Sequence, residues 1–497
     1  MPPLVSAVVV FGWCSGLLAG AVVNICEKSL TLGKKSATMK SIRTIIAICA
    51  LALCLQNCAQ DNIIRTKVPA RPKGQTDVIG LALPPLDTVR VGFIGVGMRG
   101  SDAVRRFCFF PNARISAICD LVPENIEKCQ ALVRKNGRPE PSLYSGDEQA
   151  WKKVCERDDV NLVYICTDWK NHAPMALYAM EHGKHVAIEV PAATSLEEIW
   201  ALINMAESKR LHCMMLENCV YDFFELTTLN MAQKGLFGEV IHGEGAYHHC
   251  LDDFWDEYWN SWRLDFNAGH NGDLYPTHGL GPVCQVMNIH RGDRFKTLTA
   301  METRSVVGKR LWKERGHDPE EFRSGDETMT MISTEKGNTI LVEHDVMTPR
   351  PYDRMYQIVG TEGYAAKYPR QIYSLRPDRQ EGATDYDNLN SHRPVTPEVM
   401  AALMEKYRSP ILTPEMEELA KTVGGHGGMD FIMDYRLVYC LTNGLPLDMD
   451  VYDLAEWCCL SELGSISIAH GGAPVEVPDF TRGCWNKVCG YSYAFAE

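Results

Sequence analysis

The chain has 497 residues, 45% of them hydrophobic, and a formal net charge of −13. That length and apolar share predict two globular domains. The acidic balance, with no clustered Lys and Arg, excludes nucleic acid as a partner and fits an acidic, soluble enzyme.

Two apolar stretches open the chain, about Leu4 to Val23 and Ile45 to Leu55. Read from Met39, MKSIRTIIAICALALCLQNCAQD has a basic start at Lys40 and Arg43, an apolar stretch too short to span comfortably, and a cysteine at its end. This is the layout of a bacterial lipoprotein signal. Cys58 would carry the lipid, with Leu55 three residues before it; Asn57 departs from the usual small residue, and Cys54 is the alternative. Residues 1–60 therefore read as a leader whose true start is Met39, and the protein is expected to be exported and lipid-anchored to a bacterial membrane, on the periplasmic or cell-surface side. A membrane anchor at residues 4–23 is the alternative. Residues 61–87, with Pro69, Pro72, Pro84 and Pro85, read as a tether.

From Thr88 apolar strand-like runs alternate with helical patterns. VRVGFIGVG is followed by a helix from about Ser101, ARISAICD by one from about Pro123, and NLVYICTD by one from about Pro174 to His182. HVAIEVP, a helix from about Ser195 to Lys209, and LHCMMLEN complete the pattern. This predicts an α/β doubly wound parallel sheet, a Rossmann domain, over residues 88–218. Gly95, Gly97 and Gly100 follow the first strand as a dinucleotide-binding turn. The first permits the tight turn, the second lets backbone approach a pyrophosphate, and the third lets the helix pack on the strand. The helix N-terminus then favours the phosphate charge. Asp120 ends the second strand about 20 residues on, where a carboxylate grips a ribose 2′-hydroxyl and favours NAD over NADP; a helix-capping role before Pro123 and Glu124 is the alternative.

Beyond Asn218 the strands lengthen, as in GEVIHGEGAYHH, DETMTMISTEKGNTILVEHDV and RMYQIVGTEGYAAKY. Period-2 alternation and glycine turns predict an α+β substrate domain with a mostly antiparallel sheet over residues 219–497. In YPTHG, Tyr275 and His278 stand three apart, so one helical turn would aim both at a common ligand. Histidine suits proton transfer near neutral pH and tyrosine can serve as acid or base, although a satisfied structural histidine fits the spacing too. His426, in GGHGGMD, is open between a supporting role at the site and a structural one. WDEYWNSWR, from Trp255 to Arg263, combines aromatics with an arginine as a carbohydrate site would, or packs as an interdomain helix. Of the 19 cysteines, Cys14, Cys26, Cys49, Cys54 and Cys58 lie in the leader and most others read as buried thiols. No Cys/His spacing fits structural zinc, so no metal is expected.

A Rossmann half, an antiparallel half and an EVP segment after the fifth strand resemble the Gfo/Idh/MocA oxidoreductases. That family normally has Glu-Lys-Pro there, its lysine serving as acid/base; here the position is Val190. The MRG turn, TDWKNH, EVP, LEN, YPTHG, GHGGMD and PDFTRG together are similar to glycoside hydrolase family 109, the NAD-dependent α-N-acetylgalactosaminidases, over roughly residues 88–485. Lys170 departs from that family's usual acidic residue. The resemblance implies NAD contacts from Met98, Arg99, Asp120, the Trp169, Lys170, Asn171 and His172 run, Glu189, Val190 and Asn218. It implies a sugar site of Tyr247, Arg263, Tyr275, Pro276, Thr277, His278 and Tyr352, with proton transfers at Tyr275 and His278.

The implied reaction is a redox-assisted glycosidase cycle on a glycan with terminal N-acetylgalactosamine. Hydride leaves C3 for NAD, the ketone acidifies C2–H, the C1 group is eliminated, water adds, and hydride returns. A Gfo/Idh/MocA-type sugar or cyclitol oxidoreductase and a lipid-anchored sugar-binding protein are the alternatives. The resemblance also implies a homo-oligomer paired through the exposed C-terminal sheet.

Overall fold

The parallel sheet comprises β1 (Val89–Ile94), β2 (Ala113–Cys119), β3 (Ser142–Tyr144), β4 (Leu162–Ile165), β5 (His185–Ile188) and β6 (Cys213–Met215), in the order β3-β2-β1-β4-β5-β6. The structure, a computed structural model, describes residues 62–379, 392–491 and 493; the leader, with Met39 and Cys58, lies outside the described residues. All pairings in the sheet are parallel. LVYI of β4 is wholly buried, as a strand covered on both faces must be. The strand order reverses between β1 and β4, which opens the crevice at their C-terminal ends where ligands of such sheets bind.

Two helices begin earlier than their sequence patterns suggest. The first runs Met98–Phe107, directly from the glycine turn. The helix after β4 runs Trp169–Glu181 because Asp168 caps it, accepting from the Asn171 N–H, and Pro174 sits inside it. That five-residue advance puts Trp169 at the crevice.

The second sheet has eight strands: β7 (Val240–His248), β8 (Phe295–Glu302), β9 (Thr328–Thr334), β10 (Thr339–Asp345), β11 (Gln357–Gly360), β12 (Gly363–Ala366), β13 (Ile372–Leu375) and β14 (Val475–Glu476). Their order is β13-β12-β11-β7-β10-β9-β8-β14. It is antiparallel apart from the β7–β10 pairing. Alternation in β9 buries Thr328, Thr330 and Ile332 and leaves Met329 and Met331 exposed, with Met301 of β8 facing Met329 in register. The inner face carries the Thr277–Val286 helix at very short range: a Cβ on Gly245 would lie 2.1 Å from Gly279 O. Only a glycine pair allows that approach.

One sequence expectation needs correction. Residues 62–87 are no free tether: Ile64 bridges Val475 of β14, Arg71 pairs with Glu207 at 3.0 Å, and Val78, Ile79 and Leu81 are buried. Apolar side chains among the prolines anchor the segment. The Met429–Asn443 helix returns to the parallel sheet, where Asp434 meets Arg106 at 2.6 Å and Tyr164 OH at 2.9 Å, and Phe431 packs on Phe110. The described cysteines are free thiols, mostly buried. No described helix is long and apolar enough to cross a membrane.

Candidate active site

Gly95 adopts φ +80°, and a Cβ on Gly100 would lie 2.0 Å from Gly95 O, so both glycines are required by the turn itself. Gly97 is different. A Cβ there would meet only Asn125 Nδ2, at 3.7 Å, so the chain leaves open the space in front of the helix N-terminus, which has no side-chain cap. A pyrophosphate fits that cradle, its oxygens taking the uncapped N–H groups. Asp120 accepts from Val96 N–H at 2.7 Å, Val122 N–H at 2.8 Å and Asn125 Nδ2 at 3.2 Å. These bonds fix the carboxylate beside the glycine turn. The helix cap itself is Val122, so Asp120 supports the turn rather than capping.

At the crevice lies a cavity of about 200 Å³ that brings the two halves of the chain together. Met98, Arg99, Trp169, His172, Glu189, Val190 and Asn218 line it from the cofactor side; Tyr247, Arg263, Tyr275 and His278 line it from the sheet side. Arg99 reaches Glu189 at 3.2 Å and Asp430 at 3.0 Å. Asn218 Nδ2 donates to the other Asp430 oxygen at 2.5 Å. Burial pushes the Asp430 carboxyl up, but Arg99, His426 and Arg106 outweigh it and hold the group well below the usual carboxylate range. His426, half exposed, contacts Asp430 at 2.9 Å and faces the cavity, supporting that ion pair. Gly424, Gly425, His426, Gly427 and Gly428 all have positive φ, which explains the glycines of GGHGGMD.

On the sheet side, the close glycine approach sets YPTHG against Tyr247. Pro276 caps the helix and Thr277 is buried at its first position. The Tyr275 hydroxyl lies 3.4 Å from His278 Nε2, as the three-residue spacing suggests. Tyr247 packs on Tyr275 at 4.5 Å and edge-on to His278 at 5.3 Å. Arg263 is buried among aromatic rings, 4.8 Å from the Tyr275 centroid, 5.1 Å from Trp169 and 5.2 Å from Tyr258, whose hydroxyl accepts from its Nη1. WDEYWNSWR thus forms two short turns, between which Tyr258 reaches the cavity, followed by the Trp262–Gly269 helix, which delivers Trp262 and Arg263.

Besides the three glycines and Asp120, five expected residues sit outside the cavity lining, among them Pro276 and the fully buried Thr277, which form the start of their helix. Lys170 is exposed and outside the cavity lining; Asn171 also lies outside it and donates through Nδ2 to both Asp168 oxygens at 2.9 Å. The early helix start turns both from the cavity. Tyr352 is 43% exposed, at the rim, with its ring 5.3 Å from His249. His172 lines the cavity, but both its ring nitrogens lie within 2.9 Å of the Pro191 and Thr167 carbonyls, tying the segment after β5 to the end of β4. PDFTRG is structural: Arg482 pairs with Glu207 at 2.9 Å and stacks on Trp200. Sequence reading singled out neither Asp430 nor Glu217. Glu217 lies in LEN, fully buried, with His278 Nδ1 2.8 and 2.9 Å from its oxygens. A carboxylate ending an apolar strand was the available signal.

A Rossmann crevice facing an aromatic cavity with a Tyr–His pair defines an NAD-dependent enzyme acting on a small polar substrate. The oxidoreductase-family NAD-binding Rossmann profile matches residues 89–217, and the glycosyl hydrolase 109 C-terminal domain profile matches residues 221–487. Glycosyl hydrolase family 109 protein 1 of Bacteroides thetaiotaomicron is 60% identical over 464 residues, covering 92% of this chain and 99% of that protein. The family 109 protein of Porphyromonas gingivalis is 61% identical over 437 residues, covering 87% and 93%. The chain belongs to glycoside hydrolase family 109 and is a glycosidase that uses NAD. A levoglucosan dehydrogenase solved with NADH and levoglucosan shares the fold, at TM-score 0.57 and 20% identity over 79% of this chain and 100% of that one.

Proposed function

We propose that this glycosidase removes terminal α-linked N-acetylgalactosamine from glycans by a redox-assisted elimination and water addition. The observation carrying the reading is that Tyr275 and His278 share one cavity with Glu189, Val190 and Asn218 from the cofactor side. The Gly97 cradle, Asp120, Arg99 and Asn218 would hold NAD, which would supply the chemistry of a recycled hydride acceptor and donor. The proton steps fall to this chain. His278 and Tyr275 remove and return protons at the sugar and its leaving group, which Val190 cannot do. Arg263 and Tyr247 orient the ring, and Trp169 and Tyr258 exclude water. The carboxylates here are already engaged, Glu189 by Arg99 and Glu217 by His278, which favours proton handling by the Tyr–His pair over a two-carboxylate mechanism.

We also propose export and a lipid at Cys58, supported by the signal layout after Met39, and self-association through the exposed sheet face, supported by Met301, Met329 and Met331. The catalytic reading is tested with p-nitrophenyl α-N-acetylgalactosaminide, following nitrophenol and NADH together. Nitrophenol release without accumulating NADH, reduced about 10²- to 10⁴-fold in Tyr275→Phe or His278→Ala enzyme, is expected. Steady NADH formation on free sugars without nitrophenol release would replace it with a dehydrogenase reading.

A further inference from the structure

His278 has a partner behind it that touches neither sugar nor cofactor space. Glu217 is the last residue before the short Asn218–Tyr221 turn, and one of its oxygens accepts from Cys219 N–H at 3.0 Å. Its side chain has no exposed surface, whereas that of His278 keeps 12% of its own and faces the cavity. The carboxylate is sealed on one side by Gly281, where an added Cβ would lie 3.0 Å from Glu217 Cγ and 3.1 Å from the Trp457 ring. Both carboxylate oxygens lie against His278 Nδ1, at 2.8 and 2.9 Å, and His278 Nε2 points to the Tyr275 hydroxyl at 3.4 Å.

We propose that Glu217 is a positioning residue that fixes His278 as the Nδ1–H tautomer, making Nε2 the proton acceptor of the reaction and leaving Tyr275 as the proton donor. An ionised carboxylate only accepts hydrogen bonds, so Nδ1 must carry the hydrogen and the Nε2 lone pair faces the cavity. When Nε2 takes a proton from the sugar, the imidazolium charge is matched by the carboxylate already in contact. The proton returns from Nε2 when the cycle closes, and Nδ1–H is never exchanged. The protonation states of the neighbours agree. Burial pushes the Glu217 carboxyl up, but His278 and its other hydrogen bonds more than offset this and keep it ionised; burial beside Tyr247 holds the Tyr275 phenol well above its ordinary range, so it enters the cycle protonated. The assignment rests on the proton-transfer roles of the proposed function and divides them.

The test uses the full cofactor-loaded enzyme with ¹⁵N-labelled histidine, read by NMR without substrate, and then by kinetics. The groups facing His278 are Glu217 and Cys219, Tyr275, Tyr247, His249 and Arg263, and Glu217 is the one in direct contact with Nδ1. In the wild type, the His278 shifts should report Nδ1–H with a bare Nε2. Glu217→Gln should lower the Nδ1–H to Nε2–H tautomer ratio of His278 about tenfold or more, read from the two ring ¹⁵N shifts. With it, kcat should fall about 100-fold or more, with KM changed less than about threefold. Glu217→Asp, which keeps the charge, should retain more activity and more of the wild-type tautomer ratio, and it serves if the glutamine variant does not fold.

An Nε2–H tautomer in the wild type, or an unmoved His278 tautomer ratio in both variants, overturns the assignment. Because the NMR readout needs no substrate, a shifted tautomer without N-acetylgalactosaminidase activity would overturn the substrate reading and leave the dyad standing. Activity without the shift would do the reverse.

Discussion

Arg99 Nη1 lies 3.0 Å from Asp430 Oδ2, a contact that joins the first turn after the cofactor glycines to a helix 331 residues further along the chain. Asp430 also meets Arg106 at 3.5 Å, and Asn218 through its other oxygen. Asp430→Ala leaves the buried Arg106 and the partly exposed Arg99 short of a counter-charge, and a loss of about 3 kcal/mol is expected, read from chemical denaturation. The Asp430 carboxyl is depressed in the fold, so its contribution is present above the unfolded value near pH 3.9 and is lost as pH falls through the lower folded value. The wild-type advantage over Asp430→Asn should therefore shrink only below about pH 4. A variant as stable as the wild type at pH 7 would contradict this account.

The three glycines of the turn should separate by experiment. Gly100→Ala collides with Gly95 O and should destabilise the protein even without cofactor, while Gly97→Ala meets nothing nearer than 3.7 Å among the described residues. Thermal melts with and without NAD should show the apo midpoint falling much further for Gly100→Ala. Gly97→Ala should chiefly lose the cofactor-induced rise. Equal loss of apo stability in both would mean that Gly97 serves the fold and not the pyrophosphate.

Arg263 is held face-on to several rings, so shape matters as well as charge. Arg263→Lys keeps the charge but not the planar stack, and about a tenfold or greater loss of kcat/KM is expected, roughly 1–2 kcal/mol. Circular dichroism should be unchanged. Near-normal kinetics for the lysine variant would show that only charge is needed.

Asp273 is buried, with one oxygen accepting from Tyr275 N–H at 3.0 Å and the other without a partner. Burial pushes its carboxyl up to about 7. Between the unfolded value near 3.9 and this folded value the native state holds the extra proton, so stability falls as pH rises across that window and the penalty is constant above it. Asp273→Asn should be more stable than the wild type at pH 8, by a few kcal/mol at most, and close to it at pH 4. Melting curves at the two pH values check the sign; a gain confined to low pH would refute it.

The sequence by itself determined what depends on neighbours along the chain. Gly95, Gly97 and Gly100 announce a phosphate turn because a tight turn and a helix N-terminus are local events, and strand and helix periodicities announce the two sheets. YPTHG announces a Tyr–His pair because three residues span about one helical turn. Tertiary structure decided the rest. Asp168 starts its helix early and so carries Lys170 and Asn171 away from the cavity while bringing Trp169 in, a choice that Pro174 in the sequence argues against. Apolar residues among the prolines of 62–87 hold against the folded body, which linker composition does not reveal. Glu217 and His278 are 61 residues apart, and Arg99 and Asp430 far more. A buried charge is tolerated only where a partner meets it, and that partner is chosen by the packing of distant elements. Which carboxylate serves which cation is therefore settled only when both sheets and the returning helix are in place.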